Sequence, residues 1–203
     1  MKTLPTDIER GSMDIIRAEL RERGLAERIT EAAKRDIPIF GVCGGYQMLG
    51  RTLSDPLGVE RRGTLPGLGL LPLETVFTAD KTRTRRRAVC VSEPFAGAAL
   101  TGYELHMGKS VTDAAPFCRF EDGVTDGAVS GMVFGSYLHG LFDSGELTLR
   151  LAELLAKRKG IELPKVKIES RKSYRERQYA LLAAELRQSL DIGRIYKIME
   201  EYE

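Results

Sequence analysis

Gly41-Val42-Cys43-Gly44-Gly45-Tyr46-Gln47-Met48-Leu49-Gly50 is the stretch on which the reading of this chain turns. The apolar run Ile37-Pro38-Ile39-Phe40 leads into it, and a helical pattern follows. Strand, then Gly-Val-Cys-Gly-Gly, then helix is the layout of a nucleophile elbow, with a thiol where the Gly-x-Ser-x-Gly turn carries a hydroxyl. The turn is tight, so glycine is expected on both sides of the nucleophile. It lifts the sulfur out of the sheet and aims a helix N-terminus at it, which predicts a favoured thiolate. The N–H of Gly44 then lies ready to donate to an oxyanion. Two plainer readings compete. A cysteine after an apolar strand is commonly a small buried hydrophobe, and a glycine-rich strand-to-helix turn can cradle a phosphate. No Gly-Lys-Ser/Thr follows, which removes the P-loop, and the bracketing glycines favour the nucleophile.

The bulk numbers exclude several classes. A length of 203 residues suits one domain with an appended segment, here residues 1–160 as a core and 161–203 as a C-terminal helical extension. Basic and acidic residues number 31 and 29, and a net charge of +2 argues against a general nucleic-acid binder. No apolar run approaches the roughly 18 residues of a membrane span. Met1 to Asp7 shows no apolar signal-peptide core. Three cysteines suit a reducing cytoplasm better than a disulfide framework. No Cys-x-x-Cys or His-x-x-x-His spacing occurs, so no metal site is expected.

Upstream of the elbow, Ser12 reads as the cap of a helix carrying Met13, Ile16 and Leu20, which Gly24 would end. Leu25 to Arg35 reads as a second helix with Leu25, Ile29 and Ala32 or Ala33 inward. A buried strand between helices predicts a parallel sheet covered on both faces. After Gly50, the turn-rich stretch Asp55 to Leu73 gives way to strands at Leu73–Thr78, Ala88–Ser92 and Thr101–Met107, an antiparallel region. Gly131 to Gly140 reads as a strand and a loop ending in His139. Helices are expected over Glu146–Lys159, Tyr174–Leu190 (strongly amphipathic) and Ile192–Glu200, with a charged connector from Pro164 to Ser173. The run Arg83-Thr84-Arg85-Arg86-Arg87 reads first as a solvated edge strand, and second as a docking surface for a polyanion.

A cysteine nucleophile needs a base, and His106 and His139 are the only histidines. His139 stands at a strand end before a glycine, where parallel-sheet enzymes place site residues. His106 lies in Gly102-Tyr103-Glu104-Leu105-His106-Met107-Gly108 and is the weaker candidate. Cys90 and Cys118 read as structural.

Four motifs in order carry a resemblance: Gly41 to Gly50, Pro66-Gly67-Leu68-Gly69-Leu70-Leu71-Pro72, Gly102 to Gly108, and Gly135-Ser136-Tyr137-Leu138-His139-Gly140-Leu141-Phe142-Asp143. Together they resemble the C-terminal class I glutamine amidotransferase (CobB/CobQ-type) domain of cobyric acid synthase. The fold this implies is α/β and flavodoxin-like, a mostly parallel sheet with helices on both faces, here with a small antiparallel region and C-terminal helices. The resemblance implies attack on glutamine by Cys43, proton shuttling by His139, an oxyanion bond from Gly44 and substrate holding by Gln47. Ammonia would pass to an ATP-activated carboxylate of adenosylcobyrinic acid a,c-diamide, in cobalamin biosynthesis. The implied partner is an ATP-dependent synthetase domain. ATP and magnesium belong on that domain, and no cofactor is expected on this one. Many class I amidotransferases orient the histidine with a glutamate two residues on; that position is Leu141, and Glu104 is a candidate replacement. The family's second oxyanion donor comes from a Leu-Pro-Gly-Ser-Lys-like turn, for which Leu4-Pro5-Thr6-Asp7 is the nearest match, without the glycine. The synthetase domain has no counterpart in these residues, so the resemblance is to an N-terminally truncated unit. The alternatives are a non-catalytic remnant or docking module, and the glutaminase subunit of a related amidotransferase of the lipid II type.

Overall fold

The computed structural model describes residues 22–59, 62–164 and 169–201. The helix expected around Ser12 and the turn at Leu4–Asp7 lie outside them. In chain order the elements are α1 (Leu25–Lys34), β1 (Ile39–Val42), α2 (Gly44–Leu49), β2 (Thr52–Asp55), β3 (Gly63–Pro66), β4 (Leu73–Cys90), β5 (Ala99–Thr112), β6 (Cys118–Phe120), β7 (Thr125–Asp126), β8 (Ala128–Ser130), β9 (Val133–Ser136), β10 (Leu138–His139), α3 (Glu146–Lys159), α4 (Arg171–Ser189) and α5 (Ile192–Glu201).

Pro38 biases Ile37 to extended backbone, and β1 follows at once. It pairs in parallel with β9, Ile39 opposite Val133 through Val42 opposite Ser136. Successive strand residues face opposite sides, and this alternation sorts the core. Ile39 and Val133 join Tyr46, Leu49, Leu71 and Leu73, with Ile29 and Ala33 of α1 packed against them. Phe40, Val42 and Phe134 face the other way, into Phe95, Phe117, Leu138 and Leu147, with Leu151 and Leu154 of α3. Helices therefore cover both faces of the β1–β9 pair. Stacked and tilted rings dominate the second cluster: the centroid of Phe134 lies 5.1 Å from that of Phe40 and 5.0 Å from that of Phe95. Of α1, Ala26 is buried, whereas Leu25, expected inward, is 41% exposed.

Among the described residues, antiparallel ladders outnumber parallel ones. Two sheets form among the described residues, β1-β9-β8 and a seven-stranded sheet ordered β10-β5-β4-β2-β3 with β6 and β7 branching from β4. Parallel pairing occurs between β1 and β9 and between β2 and β4; the other ladders are antiparallel. The cause is β4 and β5. The expected strands Leu73–Thr78 and Ala88–Ser92 are one 18-residue strand, and β5 pairs with it along nearly its whole length. The arginine run lies inside β4. Arg83, Arg85 and Arg87 are exposed, as a solvated strand requires, while Arg86 turns in to bind Glu104 and Asp122.

Helix α3 has the expected bounds, with Lys157, Arg158 and Lys159 in its last turn and Gly160 left-handed at its end. Ser170 caps α4 through Ser173 N–H. The amphipathic packing expected of α4 is absent: none of its residues, nor of those described in α5, is buried. At 100° per residue, Tyr174 and Leu181 fall on one flank, and Leu182, Leu186 and Leu190 on another. No helix among the described residues is long and apolar enough to cross a membrane.

Candidate active site

Cys43 sits between β1 and α2 with φ 52° and ψ −114°. Among the described residues only Asp36 is another non-glycine with positive φ. Such a backbone costs on the order of 1–3 kcal/mol and persists when its surroundings hold it. Two bonds hold this one: Cys43 N–H donates to Ser136 O at 2.9 Å, and Gln47 N–H donates to Cys43 O at 3.1 Å. A Cβ on Gly41 would lie 2.4 Å from Leu49 Cδ1 and 2.9 Å from Tyr46 Cα, so the elbow demands glycine there. Gly45 differs from expectation. A Cβ there meets nothing within 4 Å among the described residues, whose packing does not require that glycine.

The antiparallel strand β5 passes the elbow, and its edge gathers the site. At Tyr103 and Glu104 that edge pairs with β10, Tyr103 opposite His139 and Glu104 opposite Leu138. Where β10 stops, the elbow takes over. Cys43 Sγ–H donates to Leu105 O at 3.3 Å, and Gln47 Nε2 donates to Met107 O at 3.2 Å. His139 and the Cys43 thiol thus address positions two residues apart on one strand edge, roughly 7 Å along it. Gly102 lets β10 close: a Cβ there would stand 1.8 Å from His139 O. The His139 ring stacks on Tyr103, centroids 4.8 Å apart and planes within 3°. Its Nε2 is buried without a hydrogen-bond partner among the described residues. A buried, unpaired ring nitrogen calls for an explanation, and a proton-transfer role supplies one.

Gln47 is buried, its amide spanning Met107 O and the Tyr137 hydroxyl, 3.2 Å from each. In this structure it ties the elbow helix to β5 and to the corner before His139. Tyr137 Oη also bonds Ser110 Oγ at 2.5 Å. The Tyr137 ring lies between His106, stacked at 3.7 Å, and Tyr46, edge-on at 5.1 Å. His106 therefore belongs to a packed stack behind the elbow. Its Nδ1 is 3.3 Å from Gly108 O, and its Nε2 is 3.6 Å from Glu104 Oε1.

Glu104, the candidate for orienting His139, is engaged elsewhere: Arg86 Nε binds its Oε2 at 2.7 Å and His106 faces its Oε1. Because β-strand residues alternate faces, Glu104 projects away from the Tyr103–His139 pair. The ring of Tyr103 is what packs His139.

The thiol also departs from expectation. Burial pushes the Cys43 thiol up from its ordinary value, and the opposing bond from Gly44 N–H is the smaller effect. That direction favours the thiol that donates to Leu105 O, and attack by the sulfur then needs a base to take its proton. Cys90 and Cys118 are 1% and 0% exposed; burial raises Cys90 to about 12 and Cys118 further. No cluster of His, Cys, Asp and Glu able to hold a metal occurs among the described residues.

Sequence reading missed Tyr103, Tyr137 and Asp126. The first two lie inside quoted motifs but read as strand aromatics. Asp126 lies outside the quoted motifs.

The CobB/CobQ-like glutamine amidotransferase domain family matches residues 11–147. Cobyric acid synthase of Ruminiclostridium cellulolyticum is 40% identical over 198 residues, covering 90% of this chain and 38% of that protein. Those of Lachnoclostridium phytofermentans and Salmonella typhimurium are also 40% identical, over 90% and 92% of this chain and 39% of each relative. The chain thus spans under two fifths of the relatives' length. Among solved structures, a glutamine amidotransferase matches with TM-score 0.47 and 18% identity, over 75% of this chain and 77% of that one. PurLQS from Thermotoga maritima matches with TM-score 0.47 and 19% identity, over 64% and 68%. With a family match over well more than half its length, and an elbow cysteine and a histidine on one strand edge, this chain belongs to the CobB/CobQ-like glutamine amidotransferase domain family.

Proposed function

We propose that this chain is the glutaminase part of a cobyric acid synthase. It hydrolyses glutamine at Cys43, and the ammonia goes to ATP-dependent amidation of carboxylates on adenosylcobyrinic acid a,c-diamide. The observation that carries the reading is the shared edge of β5, which takes the Cys43 thiol at Leu105 and pairs His139 at Tyr103.

The chemistry follows from that placement. His139 Nε2 takes the Cys43 proton as the sulfur attacks the side-chain amide carbon of glutamine. The oxyanion formed is met by Gly44 N–H. The C–N bond breaks as His139 returns the proton to nitrogen, and ammonia leaves a glutamyl thioester. His139 then takes a proton from water, the hydroxide cleaves the thioester, and glutamate departs with the thiol restored. Gln47 serves by fixing the elbow helix, and the space above Gly45 admits the substrate.

The amidation half resides in a synthetase part with ATP and magnesium, and this chain supplies no cofactor of its own. The relatives' shared name favours a corrinoid acceptor over lipid II. A biosynthetic ligase of this kind works in the cytoplasm. The test has two arms. Glutamate release from glutamine is measured for the chain, for Cys43→Ala and for His139→Ala. The chain is also mixed with the remaining, N-terminal portion of the Ruminiclostridium cellulolyticum enzyme, adenosylcobyrinic acid a,c-diamide, ATP and magnesium. The expected result is release that both substitutions abolish, and glutamine-dependent amidation in the mixture. Release surviving in Cys43→Ala would overturn the glutaminase assignment. Amidation that proceeds with ammonia but never with glutamine would overturn the pairing of this chain with a corrinoid-amidating synthetase part.

A further inference from the structure

Between Ser136 and Leu138 the chain leaves one sheet and enters the other, as β9 ends and β10 begins. A strand changing sheets leaves N–H groups without ladder partners, and buried ones must be satisfied some other way. One carboxylate oxygen does this. Asp126 Oδ2 accepts from Tyr137 N–H at 3.0 Å and from the Ser136 hydroxyl at 2.5 Å. Ser136 Oγ in turn accepts from Leu138 N–H at 3.0 Å. The Cys118 thiol faces the same oxygen at 4.0 Å.

Three candidate site residues hang on this corner without touching Asp126. Ser136 O holds Cys43 N–H at 2.9 Å. The Tyr137 hydroxyl accepts from Gln47 Nε2 at 3.2 Å. His139 follows Leu138 directly. Strained backbone at Cys43 needs such over-determination, and it comes from a segment that is itself irregular.

We propose that Asp126 is a positioning residue for the glutaminase reaction, fixing the 136–138 corner from which the nucleophile's backbone, the Gln47 amide and His139 are all set. This rests on the assignment of Cys43 and His139 given above. Removing the carboxylate frees Tyr137 N–H and the Ser136 hydroxyl together, and the corner relaxes. A misplacement of about 1 Å in such a site costs on the order of 10²-fold in rate.

The test compares Asp126→Ala, Asp126→Asn and Ser136→Ala in glutamate release, melting and Cys43 labelling. Labelling uses 6-diazo-5-oxo-norleucine, which needs the assembled site, and iodoacetamide, which needs only the thiol. The expected result is kcat lowered about 10²-fold in Asp126→Ala with KM within a few-fold. Labelling by the glutamine analogue should fall in parallel, while labelling by iodoacetamide is kept. Asp126→Asn retains an acceptor oxygen and should recover most of the loss. Ser136→Ala keeps the Tyr137 bond and should lose roughly 10-fold. If Asp126→Ala does not fold, the other two decide: wild-type kcat in Ser136→Ala together with unchanged analogue labelling overturns the proposal. Wild-type kcat in a folded Asp126→Ala overturns it outright. A wild-type chain that neither releases glutamate nor labels overturns the glutaminase assignment itself, and this role with it.

Discussion

Replacing Gly102 with alanine tests the geometry of the site at its narrowest point. A Cβ built on Gly102 lies 1.8 Å from His139 O, whereas real Cβ contacts essentially never fall below 3.0 Å. The gap between β5 and β10 must open by about 1.2 Å, and β10 has only two residues with which to resist. Overpacking of this kind costs roughly 1–3 kcal/mol of stability. The larger effect is on the chemistry, because the displaced atom belongs to His139. A shift of that size at a proton-transferring group predicts a fall in kcat/KM of about 10²-fold. Glutamate release and thermal melting are measured on the same preparation. Gly45→Ala is the folding control: its Cβ enters open space on a helix, where alanine is favoured by roughly 1 kcal/mol over glycine. Gly45→Ala should melt no lower than the parent. A Gly102→Ala protein with parental kcat/KM would refute the reasoning, because it would mean that the β5–β10 pairing does not set His139.

Other outcomes follow from burial and charge. Burial holds the Cys43 thiol above its ordinary value. Alkylation by iodoacetamide should rise about tenfold per pH unit from 7 to 9, and a plateau at neutral pH would contradict this. Burial also raises Asp126 above 3.8. Its stability contribution is present below 3.8 and lost as pH rises through the native value. Asp126→Asn lacks that loss, so its stability relative to the parent should improve from pH 3 to pH 6; a difference independent of pH would count against the buried charge. Truncation after Gly160 removes no buried described residue. It should change stability by under about 1 kcal/mol, or about 4 °C in melting temperature. A larger drop would show that α4 or α5 holds the body together.

The elbow was legible because local rules and chemistry coincide there. Glycine at 41, a thiol, and an apolar strand before it admit few structures, and Gly41 does sit against Leu49 and Tyr46. Helix α3 was legible from its leucine spacing and its cationic end. Strand β4 was not, because Lys81 to Arg87 carries no apolar alternation, and its pairing with β5 is a tertiary matter. Glu104 was read as a possible partner of His139 from its place in a motif. A neighbour in sequence on a strand points to the opposite face, and the carboxylate goes to Arg86. The thiolate expected from the helix terminus lost to desolvation, which a sequence does not display. Asp126 escaped notice because its work is long-range: its bonds go to residues ten and eleven positions away.

The most direct measurement is covalent modification of Cys43 by 6-diazo-5-oxo-norleucine, followed by intact-protein mass spectrometry with Cys43→Ser and His139→Ala alongside. The account predicts one adduct on the parent chain, none on Cys43→Ser, and strongly slowed labelling of His139→Ala. Buried Cys90 and Cys118 should stay unmodified. Labelling of Cys43 no faster than that of Cys90 and Cys118, or unchanged by loss of His139, would contradict the claim that β5 brings nucleophile and base together.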